Sequence, residues 1–228
     1  MPNDSMPKMY SRVQAWAHDT FVAHRALRLH DYILDYGNLT GILAETTARS
    51  LLDVGCGGGQ AAIRMKERCP HLDITGIDLS EWMIASARQR ALNRGRAIRF
   101  EVANALALPF PDASFDVVYS FGSAKHWPDP LRGFGECWRV LKSGGELLVA
   151  DATSDATKQE VESFIEVAGF PSLLKKPVAG ILSRRMFRPA RPVRAYRQIA
   201  AELRMPEGTV SHLPSMPAFL FRTRKPST

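Results

Sequence analysis

Short apolar runs alternate with longer amphipathic stretches over most of this chain. A short apolar run between turn residues is typical of a buried strand, and apolar residues at every third or fourth position are typical of a helix. The predicted strands are residues 49–54, 73–78, 98–102, 115–121, 146–151, 209–213 and 218–224. The predicted helices between them are residues 60–68, 80–93, 131–141, 158–168, 173–187 and 195–204. This alternation predicts an α/β fold whose mostly parallel sheet is covered by helices on both faces.

Two segments depart from this alternation. Residues 8–48 carry apolar positions at helical spacing without a strand, which predicts N-terminal helices. Residues 152–194 contain helix-like pieces interrupted by four prolines, which predicts a helical cap inserted after the fifth strand. We therefore expect a single domain over 1–228, organised as a helical lid at 8–48, a core at 49–151, the cap at 152–194, and a final helix with strands at 195–228.

Composition narrows the location of the protein. The chain is 45% apolar and 23% charged, which is enough apolar material for a folded core. It has no apolar run of roughly 18 residues that could span a membrane, and its first 30 residues lack the apolar stretch of a secretory signal. Cys56, Cys69 and Cys137 form neither a CxxC pair nor a disulfide framework. These features predict a cytoplasmic protein.

The positive charge is concentrated at one end of the chain. Residues 171–228 contain twelve basic and two acidic residues, a net charge of +10, so residues 1–170 carry a net charge of −3. A basic surface of this kind suits an anionic acceptor, a membrane surface or RNA, or is simply a solvated face. Since only Phe187 and Tyr196 are available for base stacking, a small molecule is favoured over nucleic acid, and peripheral membrane contact stays open. The sequence does not indicate the oligomeric state.

A glycine cluster leads from the first strand into the following helix and reads Asp53-Val54-Gly55-Cys56-Gly57-Gly58-Gly59. Glycines permit positive φ and let a ligand approach the backbone. A dinucleotide fingerprint would require glycine or alanine at Gln60, and the acid at Asp53 would repel a pyrophosphate. A phosphate-binding P-loop is excluded because no Lys-Ser/Thr pair follows. The predicted ligand is therefore nucleoside-like and not polyanionic.

The D-x-G-x-G-x-G run resembles motif I of class I S-adenosylmethionine (SAM) dependent methyltransferases. Three further segments resemble that family in the same order, namely Thr75–Ser80, Asn104–Phe110 with Ser114–Val118, and Arg139–Gly145. Together they most resemble the UbiE-like (type 11) branch, which acts on small molecules. The resemblance implies a Rossmann-like seven-stranded sheet, with SAM as the cofactor and S-adenosylhomocysteine as its product.

The resemblance also implies which residues bind the cofactor. They are Asp53, Gly55, Gly57, Gly59, Asp78, Leu79, Met83, Asn104, Ala105 and Ser120. Asp53 would face the cationic methionine end, and Asp78 would accept hydrogen bonds from both ribose hydroxyls. Asn104 stands where the family usually has Asp, but its amide oxygen can still accept from the adenine amino group. The alternatives are a turn-forming role for Asp78 and an ordinary core role for Met83.

His126 is the candidate general base, because it follows the fourth strand at the edge where open α/β sheets bind ligands. The alternative is a structural histidine packed against Trp127. No metal site is predicted, since Cys69 and His71 lack the further ligands that zinc requires. We expect an enzyme that transfers a methyl group from SAM to an O, N or C atom of a small anionic or hydrophobic acceptor. The alternatives are an RNA or protein methyltransferase that uses the basic C-terminal region, and a catalytically inactive SAM-binding protein.

Overall fold

The computed structural model describes residues 24–36, 50–170, 173, 175–206 and 209–227. The predicted lid at 8–48 therefore lies outside the described residues, apart from helix α1 (His24–Tyr36). The core contains β1 (Ser50–Val54), α2 (Gln60–Arg68), β2 (Asp73–Asp78), α3 (Glu81–Asn93), β3 (Arg99–Val102), β4 (Phe115–Phe121), α4 (Pro130–Val140) and β5 (Leu141–Ala152). After it come α5 (Lys158–Val167), α6 (Lys175–Leu182), a π-helical turn (Ser183–Phe187), α7 (Val193–Glu202), β6 (Thr209–His212) and β7 (Ala218–Arg224).

The strands form one seven-stranded sheet in the order β3-β2-β1-β4-β5-β7-β6. Strands β1 to β5 are parallel, whereas β7 runs antiparallel to both β5 and β6. The prediction of a Rossmann-like, mostly parallel sheet is thus confirmed. The strand order reverses between β1 and β4, and open α/β sheets bind ligands beside such a reversal, at the carboxyl ends of the strands.

Helices cover both faces of the sheet. Because successive side chains of a strand point to opposite faces, the neighbouring residues Leu51 and Leu52 belong to different apolar clusters, and both are fully buried. The Leu52 side is covered by α4 and α7, with Phe134 and Tyr196 wholly buried. The Leu51 side is covered by α1, α2 and α3. A rigid double-sided core therefore supports the sheet edge at which the site lies.

Most predicted boundaries agree with the structure to within two residues, and two differ by more. Strand β5 begins at Leu141 and not at Glu146, because Leu141 already pairs with Phe115. The pairing is then interrupted, and it resumes at Val117 and Glu146. The helix predicted at 173–187 is divided into α6 and the π-helical turn. The glycines and prolines of these segments predict that an element is interrupted, but they do not predict the residue at which the next element begins.

The cap packs on a third apolar cluster beside β5 and β7. Phe164 and Ile165 of α5, Phe187 after α6, and Leu220 of β7 are buried there together with Ile33 of α1. On α6, Val178, Ala179 and Leu182 are half-buried against this cluster. The cap is thus anchored through one side of α6, and the other side of the helix faces outward.

Candidate functional site

A pocket lies at the carboxyl ends of β1, β2, β3 and β4, across the point where the strand order reverses. It encloses about 640 Å³ of empty space, part of which is open to solvent. Its walls are formed by Gly55, Ile77, Asp78, Leu79, Ala103, Asn104, Ala105, Leu106, Ser123, His126, Trp127 and Pro128. The location and the mixed polar and apolar walls are those of a small-molecule or cofactor site.

This pocket brings together part of the predicted site. The predicted residues in its walls are Gly55, Asp78, Leu79, Asn104, Ala105 and His126. The other predicted residues lie outside its walls, and they are Asp53, Gly57, Gly59, Met83 and Ser120. Their contact with a cofactor stays a prediction.

The glycine loop has the backbone that its sequence predicts. Gly55, Gly57 and Gly59 have φ values of 78°, 52° and 78°, in the left-handed region that favours glycine. At Gly55 a side chain is also excluded by space, since an added Cβ atom would lie 1.9 Å from Oγ of Ser123. The loop after β1 and the loop after β4 therefore touch each other at the floor of the pocket.

Asp53 is buried at the end of β1, only 1% exposed, and its Oδ2 atom has no hydrogen-bond partner in the described structure. Burial, and then the charge of Asp78, raise its pKa to about 7. A buried carboxylate without a partner is costly, and a nearby cation relieves that cost. The ammonium and sulfonium groups of SAM are such cations, so this residue fits the predicted cofactor.

Asp78 has a structural and a pocket-facing role at once. Its Oδ1 accepts from the backbone N–H of Ser80 at 2.9 Å, and its Oδ2 accepts from that of Gly57 at 3.0 Å. Burial nevertheless raises the pKa of Asp78, against the effect of these hydrogen bonds. Each carboxylate oxygen can accept a second hydrogen bond, so two vicinal hydroxyls of a ribose can be bound at the pocket wall.

Asn104 and Ala105 form another part of the pocket wall. The Asn104 Oδ1 accepts from the backbone N–H of Leu106 at 2.9 Å, which makes a local Asx turn. Asn104 also lines the pocket, and an amide oxygen can accept two hydrogen bonds. Leu79, 39% exposed, adds an apolar surface on the β2 side of the same wall.

Two residues of α4 hold this loop from outside the pocket. Glu136 Oε2 accepts from the backbone N–H of Leu108 at 2.7 Å, and Arg139 Nη2 donates to the Leu108 carbonyl at 3.0 Å. Arg139 also donates to the Phe110 carbonyl at 2.8 Å. The sequence indicated Arg139 only as part of a family-like segment and did not indicate its function as a clamp.

Met83 and Ser120 lie in the packed interior. Met83 is 2% exposed in α3, as the core interpretation of this residue predicts. Ser120 is wholly buried in β4, and its Oγ donates to the Val54 carbonyl at 2.8 Å. This hydrogen bond joins β4 to the end of β1, directly before the glycine loop.

His126 ends a short 3-10 turn (Ala124–His126) after β4 and is exposed at the pocket wall. The turn is held by groups that sequence reasoning missed. Buried Asp151 at the end of β5 accepts from the Lys125 backbone N–H at 2.8 Å and from its ammonium at 3.0 Å. Arg191 donates to the Trp127 carbonyl at 3.2 Å. These contacts join residues 26 and 64 positions apart, a distance at which sequence pattern carries no signal.

The sheet order, the glycine loop and the pocket at the strand reversal together define a Rossmann-like fold with a candidate cofactor site. Residues 52–149 match the family described as "Methyltransferase domain". This match and the strand order make residues 52–149 similar to a methyltransferase domain built on a Rossmann-like sheet.

Two curated relatives are similar to about half of this chain. A demethylmenaquinone methyltransferase from Deinococcus radiodurans is 41% identical over 121 residues, which are 52% of this chain and 50% of that protein. The 27-O-demethylrifamycin SV methyltransferase of Amycolatopsis mediterranei is 42% identical over 115 residues, which are 50% of this chain and 42% of that protein. The matches thus span about half the length of these relatives or less.

A solved structure supports the fold over nearly the whole chain. It is a protein from Methanococcus maripaludis described as a candidate SAM-dependent methyltransferase, with a TM-score of 0.72 and 18% identity. The alignment covers 99% of this chain and 98% of that one. At this identity the likeness establishes the fold alone. In the described part of the chain, no helix is long and apolar enough to cross a membrane.

Proposed function

We propose that the protein is a SAM-dependent methyltransferase that transfers a methyl group to a small-molecule acceptor. The observation that carries this proposal is the pocket at the strand reversal, which has Asp78, Asn104 and Ala105 in one wall and His126 in another. The first wall suits a nucleoside, and the second leaves room for an acceptor beside it. The matched methyltransferase domain spans both.

The residues of the first wall would bind and orient the cofactor, which supplies an electrophilic methyl group on its sulfonium. Asp78 would accept from the ribose hydroxyls, while Asn104 and Ala105 would hydrogen-bond the adenine edge. The unpartnered carboxylate oxygen of Asp53 would balance the positive charge of the methionine end. The protein thereby contributes alignment and charge balance, which are its main means of accelerating an in-line displacement.

His126 would act on the acceptor. Its position at the pocket wall allows it to remove a proton from an acceptor hydroxyl, carbon acid or ammonium group. Asp151 and Arg191 do not reach the acceptor in this proposal but hold the turn on which His126 lies. An acceptor that needs no deprotonation would leave His126 without a chemical role.

A small-molecule acceptor is favoured over RNA by the burial of the two aromatic residues that the sequence offers for base stacking. Phe187 is 5% exposed and Tyr196 is fully buried, so neither can stack on a base. The two curated relatives are named for small or lipophilic acceptors, a menaquinone precursor and a rifamycin. We also infer a cytoplasmic location, supported by three cysteines that are all free thiols.

The test uses SAM with a labelled methyl group. The purified protein is incubated separately with a metabolite extract, with total RNA and with total protein, and the label is followed. Label in a metabolite supports the proposal and gives the mass of the product. Label in RNA or protein would overturn the acceptor class. SAM binding without transfer in any fraction would instead indicate a SAM-binding protein without catalysis.

A further inference from the structure

The cap contains a long stretch without acidic residues. Residues 167–201 include eight Lys or Arg and no Asp or Glu. Some of these cations have internal partners, since Lys175 pairs with Glu166 at 2.7 Å and Arg191 donates to backbone carbonyls near the pocket. Four others are exposed, and the described structure gives them no ion pair: Lys176, Arg184, Arg188 and Arg194. Among the described residues, these four cations therefore have no acidic partner.

Large aliphatic side chains lie among these cations. Ile181 on α6 is 57% exposed, and Leu173 directly before the helix is 90% exposed. Lys176, Gly180 and Arg184 are four residues apart and share the outward side of the helical segment with Ile181. The opposite side of α6 packs on the cap cluster. The outer face of α6 thus combines exposed aliphatic groups with unpaired cations.

We propose that this outer face, defined as Leu173, Lys176, Ile181, Arg184 and Arg188, docks on a membrane surface that contains anionic lipid. Aliphatic side chains enter the boundary between headgroups and acyl chains, and cations beside them bind the anionic headgroups. RNA fits the surface less well, because Phe187 of the cap and Tyr196 of α7 are buried. The proposal goes beyond methyl transfer and does not depend on it.

Docking there would have a consequence for the pocket. The cap segment continues to Arg191, whose guanidinium donates to the carbonyls of Lys125 and Trp127. Trp127 and its neighbour His126 both line the pocket. If the proposed methyltransferase activity holds, docking would place the pocket near the bilayer. An acceptor dissolved in the bilayer could then reach His126 and Trp127, whose turn is hydrogen-bonded to Arg191 of the cap.

The test is flotation of the full chain with vesicles, without cofactor or acceptor. Vesicles of phosphatidylcholine with phosphatidylglycerol are compared with vesicles of phosphatidylcholine alone, at low and at high salt. We expect binding to the anionic vesicles only, and weaker binding at high salt because salt screens exposed charges. Equal binding to both kinds of vesicle, or to neither, overturns the proposal.

Charge-matched variants locate the surface. Lys176→Gln/Arg184→Gln/Arg188→Gln removes three cap cations and should weaken vesicle binding by roughly 100-fold, from the usual contribution of each cation near an anionic membrane. The control Arg96→Gln/Arg99→Gln/Arg132→Gln removes three exposed cations from the core and should bind nearly as the parent does. Circular dichroism confirms that both fold. A larger loss in the control than in the cap variant contradicts the assignment.

Two further measurements separate lipid from other partners. Leu173→Ser/Ile181→Ser keeps the charge and should reduce the part of vesicle binding that persists at high salt. Fluorescence anisotropy with a single-stranded RNA, in the same buffer, tests the nucleic-acid alternative. Tighter binding to the RNA than to anionic vesicles, lost in the cap variant, would overturn the proposal and assign the surface to nucleic acid.

Discussion

Asp53 of β1 lies directly opposite Tyr119 of β4 in the sheet, at the strand pair where the strand order reverses. Both side chains are fully or almost fully buried, and both have an oxygen without a hydrogen-bond partner in the described structure. Burial, and then the charge of Asp53, raise the pKa of Tyr119 well above its ordinary value. Polar groups without partners are rare in a packed core, and here two of them are register partners at the point where the strand order reverses.

Cofactor binding should release a proton from Asp53. Without ligand, burial raises the pKa of Asp53 to about 7, so much of it is protonated at pH 6. A bound cation lowers this pKa, and affinity for SAM should therefore rise from pH 5 to pH 7, by about tenfold per unit at most, and level off above that. Calorimetry in two buffers of different ionisation enthalpy measures the proton release.

The neighbours of Asp53 allow a clear control for this proton release. Cys56 and Tyr119 have pKa values raised well above their ordinary ranges, mainly by burial, so they stay neutral over this interval. Asp78 is the remaining titratable neighbour, and burial also raises its pKa. Asp53→Asn should therefore remove most of the proton release, whereas Asp78→Asn should remove less. A release that is unchanged in Asp53→Asn would contradict the assignment.

The buried His30 should make the fold sensitive to acid. It is fully buried against Tyr119 and Phe121, and burial lowers its pKa from 6.5 to about 4. The unfolded chain therefore takes up a proton on this residue before the folded chain does, so stability falls as the pH drops from about 6.5 towards 4. The contribution at pH 5 relative to pH 7.5 is about 2 kcal/mol.

A variant isolates this contribution from that of Asp53. The raised pKa of Asp53 has the opposite effect on stability, because it stabilises the folded state as the pH falls. The free energy of unfolding of His30→Leu is compared with that of the parent at pH 7.5 and at pH 5, by urea denaturation. The variant should gain about 2 kcal/mol relative to the parent on going to pH 5. A difference that does not change with pH would mean that His30 is protonated equally in both states.

Sequence pattern predicted that residues at the ends of neighbouring strands lie close together, and it missed contacts between distant residues. Asp53, the glycine loop and Asp78 are separated by short segments of regular strand and helix, so their common position follows from the alternation of elements. The clamp of Glu136 and Arg139 on the loop at Leu108 joins residues 28 and 31 positions apart. Asp151 and Arg191 are likewise visible only in three dimensions, because hydrogen bonds to backbone carbonyls and N–H groups leave no pattern in the partner sequence.

Asp78→Ala should weaken SAM binding by about tenfold or more, because the variant loses charge-assisted acceptors for the ribose hydroxyls. It also frees the Gly57 and Ser80 N–H groups that Asp78 now holds. Asp78→Asn keeps one acceptor and should lose less affinity. Calorimetry with S-adenosylhomocysteine measures both, and unchanged affinity in the alanine variant would contradict the ribose assignment.

Arg139→Gln should loosen the loop that contains Asn104, Ala105 and Leu108, from outside the pocket. Its guanidinium bonds the carbonyls of Leu108 and Phe110 and pairs with Glu136 at 2.8 Å. Losing these contacts should cost roughly 1–3 kcal/mol of stability and raise the Kd for SAM, although Arg139 does not line the pocket. Arg132→Gln on the same helix removes an exposed cation and is the matched control. Equal Kd values for the two variants would show that the clamp does not position the loop.

His126→Ala separates chemistry from cofactor binding once an acceptor is known. The side chain lines the pocket from the turn after β4, across from the walls that would hold the cofactor. If His126 removes the acceptor proton, the variant should lose about 100-fold or more in kcat, the usual contribution of general base catalysis, with SAM affinity nearly unchanged. The acidic limb of the pH–rate profile should also disappear, because it reports the ionisation of the base.

His126→Gln, which keeps hydrogen bonding but cannot titrate, should be as slow as the alanine variant. If glutamine instead restores turnover, His126 positions the acceptor and does not take its proton.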